Sequence, residues 1–335
     1  MKKLLVVALS AIMVLSMAAV SMAAVAVGGE FNFGYKTEAA DTLDSAISSK
    51  PDKGTDFIES KVTVAGDLND NLEVFAAIKT NGGSENGGSR FFNDELWAKL
   101  KYDAFNLQVG YFGFGFGGPK DILDAAYGDF KAEAGLLASY KFTDTFTGKL
   151  YYGYDNDFVF AKENAGVLTT NALDGETGDG AVAVGFDYTA DALSVGLIYA
   201  QPKVKFDGDV FTSKYETKSI IAANVSYAFG VFKPYISYST NAITNDAGKD
   251  VDNTVTIVGF TLESADMPFY ARAEYDLDSK DDVAGWKKDL DIYGIRLGYK
   301  LNANAAIEGQ FKTVANTTTL NDTNNDTYIK LKVTF

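Results

Sequence analysis

The amino-acid sequence predicts an all-β protein, a transmembrane antiparallel β-barrel of about 16 strands with short periplasmic turns and long outer loops. Three observations carry this prediction. Polar and apolar residues alternate along short segments, short and long connections alternate between those segments, and aromatic residues cluster where the segments end.

The carboxyl-terminal segment shows the alternation most clearly. From Ile329 to Phe335 every second residue is apolar, and the residues between them are Lys or Thr. Successive side chains of a β-strand point to opposite faces, so this pattern predicts a strand with one apolar and one polar face. Residues 95–102 and 291–300 repeat the pattern.

Connections of two lengths alternate between the predicted strands. The short ones, which have turn chemistry, are residues 67–71, 102–105, 142–146, 189–192, 229–231, 264–268 and 301–304. The long ones, which are polar and rich in Gly, Asn or Asp, are residues 37–55, 81–90, 114–128, 156–179, 202–216, 242–250, 279–288 and 317–325. Together they join about 16 strands and place both ends of the barrel domain on the short-turn side.

Aromatic residues make up 13% of the chain, and many of them flank the short turns, as Tyr102 and Phe105 do. Such clusters are typical of the aromatic girdle of a membrane barrel. A soluble β-fold is the alternative, but it would pack one face against a second sheet and gives no reason for aromatic residues at strand ends. Beyond the amino-terminal segment, no apolar run approaches the ~20 residues that a membrane helix needs.

Residues 1–23 are typical of a secretory signal peptide, with two Lys, an apolar stretch from Leu4 to about Val20, and small residues after it. A membrane anchor is the alternative, although the stretch is near the lower limit for a span. We expect cleavage after Ala23, or after Ala24, and an outer-membrane β-barrel pore domain over residues 24–335. Cleavage after Ala23 removes two Lys and no acid, so the net charge changes from −15 to −17.

The sequence contains neither His nor Cys. His is the usual general base, a common zinc ligand and a member of Ser-His-Asp triads, so those mechanisms are excluded. The lack of Cys excludes a disulfide framework. We therefore predict that the protein is not an enzyme and has no catalytic residue, metal site or cofactor.

With its signal peptide, strand pattern and last strand ending in Phe335, the chain resembles the general, trimeric porins of Gram-negative outer membranes. The resemblance implies a homotrimer in the cell outer membrane that forms a water-filled channel for passive diffusion of ions and small hydrophilic solutes. It implies contact with lipid and lipopolysaccharide, and insertion by the barrel-insertion machinery with Phe335 as the signal. We expect no nucleic-acid partner.

In that family the third long loop folds into the barrel and narrows it. The corresponding connection here is Gly-rich up to Pro119, which is placed to begin a short helix carrying Lys120, Asp121 and Asp124. We interpret Pro119, Lys120, Asp121 and Asp124 as the pore-constriction loop. An ordinary surface loop is the alternative.

Strand alternation predicts the charged residues that face the lumen: Glu59, Lys61, Lys79, Lys99, Lys101, Lys131, Glu133, Arg272, Glu274, Arg296, Glu308, Lys312, Lys330 and Lys332. From this set we assign a pore-lining basic wall to Lys61, Lys99, Arg272, Arg296 and Lys330. If such a wall faces an acidic loop, an electric field crosses the pore between them. Salt at 0.15 M screens charges over a Debye length of about 8 Å, so we expect the field to bias which solutes pass and not to select them strictly. The alternative is that these charges only hydrate the lumen. The acidic outer loops favour cations and a basic wall favours anions, so the ion preference stays open.

Two other functions fit the same fold. A sugar-specific channel would need an inward row of aromatic side chains, for which Phe75, Trp97, Tyr151 and Tyr235 are candidates. A plugged barrel that serves as an adhesin or envelope anchor would conduct negligibly in a planar bilayer.

Overall fold

The computed structural model describes residues 25–37, 55–83, 90–114, 122–123, 130–158, 181–202, 204–206, 215–245, 250–281, 293–315 and 323–335. These ranges contain no helix long and apolar enough to cross a membrane. The strands found in them are β1 (Val25–Thr37), β2 (Thr55–Asn69), β3 (Leu72–Gly83), β4 (Arg90–Tyr102), β5 (Phe105–Phe114), β6 (Phe130–Lys141), β7 (Phe146–Phe158), β8 (Ala181–Ala190), β9 (Leu193–Pro202), β10 (Val204–Phe206), β11 (Tyr215–Tyr227), β12 (Phe232–Asn245), β13 (Asp250–Leu262), β14 (Phe269–Asp281), β15 (Tyr293–Asn302), β16 (Ala305–Ala315) and β17 (Thr323–Thr334).

The strands form one antiparallel sheet that closes on itself, because β1 pairs with both β2 and β17. The three-residue β10 continues the line of β9, since β9 and β10 pair with successive parts of β11. The described residues therefore supply 16 strand positions around the wall. The predicted barrel is confirmed.

Each predicted short connection joins two neighbouring, paired strands. Two of these turns contain an Asp with a positive φ, 47° at Asp103 and 48° at Asp191. Asp tolerates this left-handed conformation better than most residues do.

Both ends of the closed sheet lie on the short-turn side, as predicted. The backbone N–H of Gly29 donates to the carbonyl of Phe335 over 3.0 Å, and Phe335 donates back to Gly29 over 3.1 Å. The ring of Phe335 stacks on Phe31, with centroids 5.4 Å apart. The last residue is thereby fixed against β1.

Apolar side chains cover the outer face of the barrel. On β17, Ile329 and Leu331 are exposed on this face, and Lys330 and Lys332 point to the lumen. Aromatic rings gather beside the short turns as predicted: Tyr140 and Phe142 lie 4.9 Å apart, measured between ring centroids. A lipid-facing apolar band with aromatic borders is typical of outer-membrane barrels.

The predicted long connections fall mostly outside the described residues, but several strands run further into them than predicted. The pairing of β6 with β7, for example, continues to Phe130 and Phe158. The predicted loop 202–216 also contains β10, so that boundary was wrong. At the end of β7 the sequence is polar at three successive residues, 155–157, so alternation fades while the hydrogen-bonded ladder continues to Phe158.

Candidate functional site

One half of the inner wall carries charged side chains. We call the inward faces of β14 to β17 and β1 to β4 the charged wall. Its bases pair with carboxylates on neighbouring strands: Lys332 Nζ lies 2.6 Å from Glu30 Oε2, and Lys101 Nζ lies 3.0 Å from both Asp67 Oδ1 and Glu73 Oε2. The wall therefore presents both signs of charge to the lumen.

The five residues assigned to the basic wall all lie on this charged wall. Arg272 and Arg296 are directly opposite each other across β14 and β15, so two guanidinium groups share one part of the wall. Lys61 is opposite Glu30 on one side and Lys79 on the other. Local excesses of positive charge thus alternate with acid–base pairs.

Lys99 and Lys330, the remaining two of the five, sit opposite carboxylates. Lys99 faces Glu73 across β3 and β4. Lys330 Nζ is 3.1 Å from Glu308 Oε1.

Glu308 is the centre of a hydrogen-bonded network on the charged wall. Its carboxylate accepts hydrogen bonds from Tyr270 Oη over 2.7 Å and from Tyr328 Oη over 2.5 Å. The Nε of Arg296 is 3.8 Å away and also donates to Gln310 Oε1 over 2.8 Å. These partners satisfy a carboxylate that is buried among them.

A recess of about 510 Å³ opens at the short-turn end of the charged wall. The charged side chains that line it are Arg272, Arg296, Lys300, Lys332, Glu263 and Glu308. Cations outnumber carboxylates in this lining, so the recess is a local positive region of the lumen.

Part of the inner face on the other side of the barrel is buried and apolar. We call this patch, on β7, β8, β9 and β11, the apolar wall. Its members are no more than 4% exposed and are Tyr151, Ala181, Ala183, Ile198, Ala200, Ile220 and Ala222. Nearer the short turns the inner faces of β7 and β8 carry an ion pair between Lys149 and Asp187, whose side chains are 24% and 35% exposed. Water therefore does not reach the apolar wall itself.

The third long connection enters the barrel. Ile122 and Leu123 are each 1% exposed, and their backbone N–H groups donate to Glu274 Oε2 over 3.2 and 2.8 Å. Tyr235 Oη donates to the other oxygen, Oε1, over 2.6 Å. A Cβ on Gly294 would overlap the side chain of Ile122, so the isoleucine packs directly on this glycine.

This contact lies halfway around the wall from the strands that carry the connection. The position of β14 is seven steps from β6 in one direction and eight steps from β5 in the other. Ile122 and Leu123 therefore lie on the opposite side of the lumen from the strands that this connection joins.

The residues assigned to the pore-constriction loop, Pro119, Lys120, Asp121 and Asp124, lie outside the described residues, and so do the side chains of Lys131 and Glu133. Sequence reasoning placed Glu274 in the lumen but missed Ile122 and Leu123 as its partners. The apolar Ile-Leu pair between Asp121 and Asp124 is the signal that could have found them.

The four aromatic candidates for a sugar-binding row do not line one open surface. Phe75 and Trp97 stack with centroids 5.0 Å apart, and Trp97 Nε1 donates to Glu95 Oε2 over 2.9 Å. Tyr151 and Tyr235 are buried. Among the described side chains, no group of acids could hold a metal ion.

Comparison with protein families decides the identity. A family model described as Gram-negative porin matches residues 8–319. The chain belongs to the Gram-negative porin family. Comparison with curated proteins finds no significant match.

Solved structures of porins share the fold of this porin. An anion-selective porin from Comamonas acidovorans is 15% identical with a TM-score of 0.61, and the match covers 93% of this chain and 100% of that one. A loop-deletion mutant of OmpT, an outer membrane protein of Vibrio cholerae, is 15% identical with a TM-score of 0.59, over 93% and 99% of the two chains. A triple mutant of the Rhodopseudomonas blastica porin is 11% identical with a TM-score of 0.56, over 93% and 100%.

The family and the closed barrel agree on the function. This porin forms a channel in the outer membrane through which small solutes diffuse passively. The family and the fold indicate a channel rather than an enzyme.

Proposed function

We propose that this porin is a general diffusion channel whose water-filled path runs along the charged wall. The observation that carries the proposal is the difference in exposure between the lysines of the charged wall and the residues of the apolar wall. Lys330, Lys332 and Lys101 are 17%, 36% and 38% exposed, although carboxylates beside them such as Glu308 are buried. Residues of the apolar wall are at most 4% exposed.

A wall with both signs of charge suits passage of many polar solutes. Its carboxylates accept hydrogen bonds, its Lys and Arg side chains donate them, and a solute can exchange water for these groups as it moves. Because acids and bases are paired, the wall gives a bias rather than strict selectivity. The basic wall of Lys61, Lys99, Arg272, Arg296 and Lys330 supplies the local positive potential.

The narrow part of the path lies beside the third long connection. Pro119, Lys120, Asp121 and Asp124 form the pore-constriction loop in this proposal, and the crossing of the lumen by Ile122 and Leu123 supports it. The two aspartates then face the basic wall, and the field between them orients dipolar solutes.

The assembly that we propose is a homotrimer. The outer face of β2, β3 and β4 offers small aliphatic side chains such as Val64, Ala76 and Ala98, whereas β14 and β15 present Tyr275 and Tyr293 to the lipid. A smooth aliphatic face suits close contact with a second copy of the chain, and the aromatic face suits the membrane interface. The remaining outer surface contacts lipid and lipopolysaccharide.

Export and insertion complete the proposal. Residues 1–23 act as a signal peptide that is removed after Ala23 or Ala24, and Phe335 acts as the insertion signal for the barrel-insertion machinery. The exposed ring of Phe335 on the outer face supports that role. The channel carries out no catalysis and needs no cofactor.

A conductance measurement in planar bilayers tests the proposed function. Detergent-extracted, refolded protein is expected to insert in groups of three equal conductance steps, with a current proportional to salt concentration and unaffected by added sugars. Negligible conductance would favour the plugged barrel instead. Saturable block by a sugar would favour the substrate-specific channel.

A further inference from the structure

The recess at the short-turn end of the charged wall has a pair of bases at each of its two ends. At the upper end, Arg272 on β14 and Arg296 on β15 lie directly opposite each other. At the lower end, nearer the short turns, Lys300 on β15 and Lys332 on β17 lie on either side of Ala306 on β16. The small side chain of Ala306 leaves open space between the two lysines.

The two ends are separated along the strands. Arg296 is opposite Gln310, and Lys300 is opposite Ala306, four residues away on β16. Each residue of a strand adds about 3.3 Å, so the Cα atoms of the two rows are ~13 Å apart. Nε and Nη2 of Arg296 both donate to Gln310 Oε1, over 2.8 and 2.6 Å, and these bonds keep the guanidinium group in its own row.

The two lysines are bound to groups at the end of the wall. Lys300 Nζ donates to the carbonyl oxygen of Ser264, the first residue of a short turn, over 3.0 Å and lies 3.3 Å from Glu263 Oε1. Lys332 Nζ lies 2.6 Å from Oε2 of Glu30, which is opposite the last residue of β17. These contacts hold the lysine pair away from the arginine pair.

Both pairs can bind an additional anionic group. The side chains of Lys300 and Lys332 are 29% and 36% exposed, and each ammonium group has three donors, so a solute can bind without displacing the present partners. Guanidinium groups bind phosphate and carboxylate oxygens through paired N–H donors. The recess volume of about 510 Å³ is in the range of about 300–1,000 Å³ that is typical of small-molecule sites.

We propose that the recess is a binding site for an elongated organic solute that carries an anionic group at each end. The arginine pair binds one group and the lysine pair binds the other. This inference deepens the proposed function and rests on it, since the solute reaches the recess through the water-filled path. The site also differs from the basic wall, which includes neither lysine, because it predicts saturable binding of a solute and not only a preference for anions.

Calorimetric titration of the detergent-extracted, refolded protein tests for binding directly. Fructose 1,6-bisphosphate is the probe, because it carries a phosphate at each end of a polar carbon chain. We expect one bound probe per chain. Glucose 6-phosphate has one phosphate and should bind roughly tenfold more weakly, because it can satisfy only one pair of bases. Glucose should not bind.

Single-channel recording tests whether the bound solute lies in the conducting path. Fructose 1,6-bisphosphate is expected to interrupt the current of the unchanged channel. The blocked fraction should saturate with probe concentration at the dissociation constant that calorimetry gives. Glucose at the same concentrations should leave the current uninterrupted.

The decisive variants are Lys300→Gln and Lys332→Gln, each of which should weaken bisphosphate binding by roughly tenfold. Lys101→Gln is the matched control, because Lys101 is also near the short turns, is 38% exposed and is paired with Asp67 and Glu73. It does not line the recess. We expect K101Q to keep the affinity of the unchanged protein.

A third variant tests the space and not the charge. Ala306→Leu fills the gap between the two lysines and is expected to abolish bisphosphate binding with every base still present. It also keeps the proposal testable if a lysine variant fails to fold.

Undiminished binding in K300Q, K332Q and A306L, an equal loss in K101Q, or equal affinity for the two sugar phosphates would overturn the site. Bisphosphate binding by a protein that does not conduct would overturn the proposed function and leave the site in place. Conductance without measurable bisphosphate binding or block would overturn the site alone.

Discussion

On the lipid side, the charged wall and the apolar wall are alike. Leu331 and Ile295 behind the charged wall are 39% and 44% exposed, and Val184 and Leu197 behind the apolar wall are 39% and 44% exposed. On the lumen side they differ, with acid–base pairs such as Lys332 and Glu30 on the charged wall and buried Ala, Ile and Tyr side chains in the apolar wall. The same strand geometry therefore serves two environments, and what differs is the access of water to the inner face.

The largest expected effect comes from placing a new charge on each wall. Ala200→Asp puts a carboxylate at a position of the apolar wall that is fully buried. An uncompensated buried charge costs about 3–5 kcal/mol, so we expect the free energy of unfolding to fall by that order. Urea titration of the barrel in detergent, followed by tryptophan fluorescence, measures the change.

Ala306→Asp is the matched control on the charged wall. Ala306 lies between Lys300 and Lys332 in register, so the new carboxylate meets two cations and water. We expect little loss of stability. Equal destabilisation by A200D and A306D would show that the two walls do not differ in access to water.

The next effect concerns ion preference. Arg296→Gln removes one of the two facing guanidinium groups, so the reversal potential in a KCl gradient should move toward that of potassium. Lys141→Gln, at the rim of the barrel, should move it less, because Lys141 is half-exposed and paired with Asp144. If K141Q moved it as far as R296Q, the charged wall would not be where ions are selected.

Removing negative charge from the proposed constriction loop should shift the reversal potential in the opposite direction. Asp121→Asn together with Asp124→Asn removes two negative charges from the constriction loop, and the reversal potential should move toward that of chloride. A reversal potential that stayed at the value of the unchanged protein would remove these residues from the narrow part of the pore.

The smallest effect is expected outside the membrane, at the turn after β6. Lys141 donates to Asp144 over 2.7 Å and lowers the pKa of Asp144 through this hydrogen bond and its charge. A lowered carboxyl pKa stabilises the fold at neutral pH, and that stabilisation is lost as the pH falls through the lowered value. The side chain of Asp144 is exposed to solvent, and an exposed ion pair contributes little to stability. Asp144→Asn should therefore leave the thermal unfolding midpoint at pH 7 unchanged within error. A clear drop at pH 7 would show that exposed charges at the rim stabilise the barrel.

The barrel could be predicted from the sequence because its pattern is local. Alternation from Ile329 to Phe335 identifies the strand and its two faces without knowledge of any partner. Strand ends were harder to predict, as the longer pairing at Phe158 and the extra strand at Val204–Phe206 show. Before Phe158 three polar residues follow one another in the sequence, so alternation no longer distinguishes the two faces of the strand.

The lumen could be predicted only in part, because its contacts join residues far apart in the chain. Alternation placed Glu274 and Glu308 on the inner face, and both are there. It could not show that Glu274 would bind the backbone of Ile122, 152 residues away, or that part of the inner face of β7, β8, β9 and β11 would be buried. Those outcomes depend on which strands lie opposite each other after the barrel has closed.

The most direct test of the water-filled path uses single cysteines at matched alanines in this Cys-free chain. Ala65 faces the lumen four residues before the end of β2, and Ala222 faces inward five residues before the end of β11. With a charged, membrane-impermeant methanethiosulfonate reagent, we expect Ala65→Cys to react quickly and to lose conductance, and Ala222→Cys to remain unmodified with its conductance unchanged. Rapid modification and current block at residue 222, with protection at residue 65, would contradict a solute path along the charged wall.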